Sequence, residues 1–197
     1  MRIVGIDEVG RGCLAGPVVA AAVLLDPQSS ALLQSIHLTD SKKMTKKQRE
    51  HAYEYIIAHA SAFGVGWVFP EDVDTNGLTH AVSQAMSEAL HKITREYDTV
   101  IIDGNYNYLP DVPKVTTMIK ADLSELSVSA ASVVAKVARD RYMAEQAKLY
   151  PEYGFEDHVG YGTKRHLAAL EQFGPSVIHR LSVKPVAALH VAYEKYS

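Results

Sequence analysis

The opening run, Met1-Arg-Ile-Val-Gly-Ile-Asp-Glu-Val-Gly-Arg-Gly-Cys-Leu-Ala-Gly16, constrains what this chain can fold into more than any other stretch. Ile3, Val4 and Ile6 are β-branched and read as a buried strand, yet that strand delivers two acids, Asp7 and Glu8, into a loop punctuated by glycine. An acid at the end of a core strand is costly unless it is paired, protonated or bound to a cation. The pair is therefore either a solvated turn or the beginning of a functional site. A second apolar run, Pro17 to Leu25, follows the break at Gly16-Pro17. Its valines and leucines, and its closeness to the first run, predict an antiparallel neighbour, although its alanines leave a helix open.

With 197 residues the chain is long enough for a full core, and one domain spanning 1–197 is expected. A hydrophobic share of 47% with 22% charged residues excludes a disordered, fibrous or solenoid design. Cys13 is the only cysteine, so an intramolecular disulfide and a four-cysteine zinc site are excluded. No signal-like start and no apolar run of membrane-spanning length are present, which places the protein in the cytoplasm with no membrane partner. The formal net charge is -3, so any contact with nucleic acid has to come from local basic patches.

Further along, Thr45-Lys-Lys-Gln48 has the spacing of a capping box, and the helix it opens should turn Ala52, Tyr55, Ile56 and Ala60 to one face. Phe63 to Phe69 alternates as a third strand, closed by Pro70. A helix from about Leu78 to Tyr97 carries Leu78, Val82, Ala85, Ala89 and Ile93 inward. Thr99-Val-Ile-Ile-Asp-Gly104 is a short apolar strand that again ends in an acid. Val112 to Ile119 reads as a fifth strand, and Ser124 to Tyr150 as a long helix whose Ala130, Ala131, Ser132 and Ala135 let it lie close to a sheet. Helices from about Lys164 to Phe173 and Pro185 to Tyr196 complete the pattern, which is that of an α/β domain with a mixed sheet.

Acids recur at element ends: Asp7 and Glu8 after the first strand, Asp103 after the fourth, Asp122 just before the long helix. If the first and fourth strands are parallel neighbours, Asp7 and Asp103 converge, and Asp122 at a helix start can join them. Singly, Asp103-Gly104 is a good turn and Asp122 suits a positive helix terminus. Together, four converging acids repel one another unless a cation is present. Oxygen-only donors point to a hard ion, Mg²⁺ or Mn²⁺, and a two-metal site would suit phosphodiester hydrolysis. Adjacent residues on a regular strand face opposite ways, so Glu8 joins Asp7 only if the strand ends, twists or bulges there.

Gly5-Ile-Asp-Glu-Val-Gly-Arg-Gly12 with Ala15-Gly-Pro17, Asp40-Ser-Lys-Lys43, Ile102-Asp-Gly104, Lys120-Ala-Asp122 with Ala130-Ala-Ser132 and Ala135-Lys-Val137, and Gly160-Tyr-Gly-Thr163 with His166 resemble the ribonuclease HII family, in order and over nearly the whole chain. The resemblance implies a ribonuclease H-like fold, a mixed five-stranded sheet flanked by helices, with roughly 151–197 as a C-terminal loop and helical extension. It implies an endonuclease that cuts RNA in RNA–DNA hybrids and incises 5′ of single ribonucleotides embedded in duplex DNA, leaving a 3′ hydroxyl and a 5′ phosphate. It assigns the metal-binding, catalytic carboxylates to Asp7, Glu8, Asp103 and Asp122. The 2′-hydroxyl contact falls on Gly10, Arg11 and Gly12, a junction-sensing role on Tyr161, and contacts near the substrate backbone on Ser41, Lys42 and Lys43.

Glycine does let the main chain approach a ligand closely, and the 2′-hydroxyl is the group that separates RNA from DNA. Gly160, Gly162 and Thr163 place Tyr161 on a loop rather than in a core. Arg139, Lys164 and Arg180 are open to two readings, phosphate contacts or surface salt bridges. His166 reads as a support for its loop. Gly10 to Gly16 also approaches a dinucleotide fingerprint, but its last spacing is too long and it leads into a strand, whereas a pyrophosphate loop must open a helix. A fold kept only for binding is the other rival, and the full set of carboxylates speaks against it. No sliding-clamp motif is seen, and a monomer is expected.

Overall fold

Ile3–Val9 forms strand β1, and Val18–Leu25 returns beside it as β2, antiparallel, with Asp7 opposite Ala21 and Glu8 opposite Ala20. The computed structural model describes residues 1–36, 38, 41 and 44–194, the last five of these by backbone alone. After β2 come helices α1 (Pro27–Leu33) and α2 (Lys46–His59), then β3 (Ala62–Val68), α3 (Pro70–Asn76) and α4 (Leu78–His91). Strands β4 (Thr99–Asp103) and β5 (Val115–Met118) precede the long helix α5 (Leu126–Leu149). Helices α6 (Phe155–His158), α7 (Lys164–Phe173) and α8 (Lys184–Glu194) make the C-terminal part.

The sheet has five strands in the order β3-β2-β1-β4-β5. β2 pairs antiparallel with both β1 and β3, whereas β4 is parallel to β1 and β5 parallel to β4. It is the mixed sheet expected, and β2 is an antiparallel strand rather than a helix. Every residue of β2 is buried because both faces of the sheet are covered. On one face Val4, Ile6, Ala20 and Ala22 meet Val82, Ala85 and Met86 of α4. On the other, Ala21, Val23 and Leu25 meet Ala130, Ala131 and Val134 of α5, with Ala52 and Ile56 of α2 behind. Each fully buried Val or Leu contributes about 1.5–3 kcal/mol. A third cluster, including Leu14, Met143, Phe155, Leu170 and Val186, seats the C-terminal helices on the far end of α5.

Gly5 sets how close α5 lies to the sheet. A Cβ there would stand 2.2 Å from the backbone of Ser127 and Val128, so only glycine lets the first turn of α5 rest directly on β1. The capping box at Thr45 forms as its spacing predicts.

Several boundaries differ from the sequence reading. β1 runs through Val9, so Asp7 and Glu8 are strand residues rather than loop residues. α4 ends at His91, not near Tyr97, because the chain must return to the sheet. Asp98 accepts from the Arg2 amide at 2.7 Å and donates its own to the Arg2 carbonyl, which aligns β4 with β1. Leu78, expected inward, is 36% exposed at the start of that helix. Asp26-Pro27 ends β2 but also starts α1, with Asp26 and Ser29 capping each other. Asp122 lies in a separate 3₁₀ turn, Ala121–Leu123, ahead of α5.

Candidate active site

The parallel register of β1 and β4 pairs Ile6 with Ile102, so the next residues along, Asp7 and Asp103, leave adjacent strands side by side. Alternation turns both away from the α4 core that holds Ile6 and Ile102 and toward α5. Glu8 points to the opposite face. Of the three ways allowed for Glu8 to join Asp7, an end or a bulge of the strand at that point does not occur, since β1 stays in register with β2 through Val9. Glu8 nevertheless lines the same cavity as Asp7, because the pairing of β1 with β4 stops at Ile6 and leaves the strand's end open. That cavity is about 640 Å³, lined also by Val9, Ser41, Arg49, Ser132, Lys136 and Tyr161.

The acids are poorly compensated. Burial, and then the Glu8 and Asp103 charges, push the Asp7 carboxyl up to about 7, against the Ser132 hydroxyl and one backbone amide that favour its ionised form. Burial likewise raises Glu8, opposed by Arg11. Arg11 donates to Glu8 Oε1 at 3.1 Å and lies 5.8 Å from the centre of the Tyr108 ring. Asp103 accepts the Ala121 amide at 2.8 Å, which ties the 3₁₀ turn carrying Asp122 to the end of β4. The Ser129 hydroxyl of α5 donates to the Asp122 carbonyl from the other side. Among the described residues, no three Asp, Glu, His or Cys side chains stand close enough to cage an ion as they are.

Of the other predicted residues, Gly10 adopts φ +92, and a Cβ there would meet Arg139 Nε at 2.5 Å and the Pro17 carbonyl at 2.6 Å. Gly12 faces open space. Ser41 is buried, its hydroxyl 2.9 Å from that of Ser132, while Lys42 and Lys43 lie outside the described residues. Tyr161 is 37% exposed on its loop and bridges backbone to backbone with Cys13.

The sequence reading missed the cationic side of the cavity. Lys136 bonds Asp140 at 2.7 Å, and Arg49 approaches the same carboxylate at 3.7 Å while donating to the Ser41 and Met44 carbonyls. The signal was available in part: Ser132, Lys136 and Asp140 recur at helical spacing from the small residues that face the sheet. Arg139 and Arg180 overturn both readings offered for them. Each is fully buried and serves carbonyls: Arg139 those of Ala15, Pro17 and Val159, Arg180 those of Gly16 and Arg11. They brace the backbone on either side of the glycine loop. Val159, a β-branched residue at φ 45, is held in its left-handed conformation beside them.

A mixed sheet of this order, with acids on adjacent parallel strands beneath a long helix, is the architecture of the ribonuclease H-like fold. The family model "Ribonuclease HII" matches residues 4–186. A ribonuclease HII of Coxiella burnetii is 43% identical over 190 residues, covering 96% of this chain and 91% of that protein. The crystal structure of the ribonuclease H2 from Pyrococcus horikoshii OT3 superposes with a TM-score of 0.86 at 25% identity, covering 99% of this chain and 100% of that one. A Bst-RNase HIII solved in complex with Mn²⁺ superposes at a TM-score of 0.74 and 18% identity, covering 100% and 71%. The chain belongs to the ribonuclease HII family and is an endonuclease acting on RNA–DNA hybrids. The family is dependent on divalent metal.

Proposed function

We propose that the protein hydrolyses the RNA strand of RNA–DNA hybrids and also incises duplex DNA on the 5′ side of single embedded ribonucleotides, leaving a 3′ hydroxyl and a 5′ phosphate. The observation that carries this reading is one cavity lined both by acids, Asp7 and Glu8, and by cations, Lys136 and Arg49. A phosphodiester entering that cavity would find cations for its oxygens and carboxylates able to hold an ion beside them.

Asp7, Glu8, Asp103 and Asp122 would hold Mg²⁺ or Mn²⁺. The raised carboxyls of Asp7 and Glu8, buried beside Asp103 with too little positive charge to offset them, fit that assignment. When bound there, such an ion, or a pair of them, would supply Lewis-acid chemistry, favouring ionisation of water and offsetting negative charge on the phosphate. The protein's own groups do the placing. Ser132 keeps Asp7 toward its ionised form. Lys136 and Arg49, restrained by Asp140, take the phosphate oxygens. The main chain at Gly10, Arg11 and Gly12 receives the 2′-hydroxyl, for which Gly12 leaves room. Tyr161 packs against the sugar on the deoxy side of the junction, and Ser41, Lys42 and Lys43 lie along the substrate backbone.

We read residues 1–197 as one domain acting as a cytoplasmic monomer; among the described residues no helix is long and apolar enough to cross a membrane. The direct test is product mapping on an end-labelled duplex with one ribonucleotide, with Mg²⁺, with Mn²⁺ and with chelator. Incision 5′ of the ribonucleotide with either ion and none with chelator is expected. A folded protein that cuts long hybrids but leaves this duplex intact would overturn the finer substrate assignment.

A further inference from the structure

Three histidines, His158, His166 and His179, are buried together against Tyr153 and Phe155, away from the carboxylates. Their hydrogen bonds leave one arrangement of protons. A carbonyl can only accept, so His166 Nδ1, 2.9 Å from the Tyr161 carbonyl, carries a proton and its Nε2 is left as an acceptor. A backbone amide can only donate, so His179 Nδ1, 2.9 Å from the Ser176 amide, is an acceptor and its Nε2 carries the proton. These two nitrogens, His166 Nε2 and His179 Nε2, face each other at 3.0 Å with donor and acceptor matched. The same logic gives His158 a proton on Nε2, donated to the Tyr153 carbonyl at 2.8 Å, while its Nδ1 takes the Gly160 amide. His158 is stacked on His166 at 4.5 Å, and its carbonyl accepts the Tyr161 amide at 2.9 Å.

The chain of bonds therefore runs from Ser176, in the segment between α7 and α8, through His179 and His166 to the peptide of Tyr161. Both sides of that residue are fixed by histidines, and it lines the cavity shared with Asp7. We propose that His166 and His179 are positioning residues for Tyr161, and that this docking of the C-terminal segment sets how strongly the protein favours an isolated ribonucleotide over a continuous hybrid. The inference rests on the junction role assigned to Tyr161 above. An isolated ribonucleotide offers one productive register, so a shifted Tyr161 is felt there. A continuous hybrid offers many registers and tolerates the shift.

The test compares kcat/KM on the two substrates for His179→Ala, His179→Gln and Tyr161→Ala, each checked for folding by circular dichroism. His179→Ala should lose about tenfold on the isolated ribonucleotide and little on the hybrid, and His179→Gln, which can still present a donor to His166, should recover most of that loss. Equal losses on both substrates in His179→Ala, while Tyr161→Ala is selective, would overturn the relay alone. A Tyr161→Ala variant that loses both equally would overturn the junction reading, and the inference with it. In ¹⁵N-histidine spectra of the wild type, protonation of His166 at Nδ1 and His179 at Nε2 is expected. The reverse at His166 would overturn the relay whatever the kinetics, and this readout holds even where a variant fails to fold.

Discussion

Asp7 and Arg139 are both ionisable side chains withdrawn from bulk water on elements that cross at the same sheet, yet their surroundings are opposite. Arg139 is surrounded by three carbonyl oxygens at 2.8–3.0 Å, and Arg180 beside it by two more residues' carbonyls. The neighbouring histidines have every ring nitrogen used, and burial lowers two of them, His166 down to about 4 and His179 down to about 3. Asp7 has one amide and one hydroxyl, and stands beside two more acids. One region is complete as folded. The other gains from any positive charge that arrives. A buried ionisable group whose partners are all internal is there to hold the backbone, and one whose partners repel it is there to receive something.

The largest expected effect breaks the incomplete side. Asp7→Asn should lower turnover by at least about 10²–10³-fold, by analogy with the loss of a group that acts on transition-state charge. It should also make the protein more stable in chelator at pH 8, because the amide removes a carboxylate that burial, Glu8 and Asp103 disfavour. A rise in melting temperature of about 2–4 °C corresponds to roughly 1 kcal/mol for a chain of this size. Activity within threefold of wild type would remove Asp7 from the site, and a lower melting temperature would contradict the view that it is electrostatically uncompensated.

The same operation on the complete side should go the other way. Arg139→Met leaves the carbonyls of Ala15, Pro17 and Val159 buried without donors, so a loss of about 3–5 kcal/mol is expected in chemical denaturation. A loss below about 1 kcal/mol would mean that water reaches those carbonyls, and that the bracing of the glycine loop is not what buries this arginine.

The two regions also oppose each other in pH. Asp7 has its pKa raised from 3.8 to about 7, so the folded form holds a proton the unfolded form has released; the stability this gives is complete below pH 3.8 and lost as pH rises through 7. His166 and His179 are lowered from 6.5 to about 4 and 3, so their contribution is present above pH 6.5 and lost as pH falls through those values. In chelator, the two histidines act only below pH 6.5, where Asp7 and Glu8, both raised, oppose them, and above it only the carboxyls act, until Asp7 is ionised past about 7. Thermal stability should therefore stop rising by pH 6.5 and fall on the alkaline side. Asp7→Asn should shrink the alkaline fall, leaving the part due to Glu8, and leave the acid fall in place. A wild-type curve that keeps rising from pH 6.5 to 8 would contradict the assignment of Asp7.

The acid pair was legible because a strand that buries Ile3, Val4 and Ile6 cannot also bury Asp7 without a reason, but the pairing that joins Asp7 to Asp103 was only a condition: the helical connection leads from β3 to β4, which are not neighbours, and it is β1 that β4 joins. The placement of Asp122 was legible only roughly: it precedes the long helix but occupies its own turn. Arg139 and Arg180 were not legible at all. An arginine on a helix, such as Arg139, reads as surface, and its burial depends on distant stretches, around Ala15, Pro17 and Val159, meeting around one guanidinium, while Arg180, between α7 and α8, is enclosed by the carbonyls of Gly16 and Arg11. Lys136 and Arg49 were obscured for a related reason, since a helix shows which residues share a face but not which cavity that face meets.

Ser132 belongs to both sides of the comparison, which makes its removal the smallest and most discriminating change. Its hydroxyl favours the ionised form of Asp7 and is within hydrogen-bond distance of Ser41, so it is the one neutral partner drawn from α5 that partly compensates the acid. Ser132→Ala should push Asp7 further up and move the alkaline fall in stability with it, at a cost of about 1 kcal/mol or less at pH 8, the net worth of one hydrogen bond. The acid fall, set by His166 and His179, should stay where it is. If instead both limbs move together, the serine is holding α5 against the sheet, and the two regions are not independent.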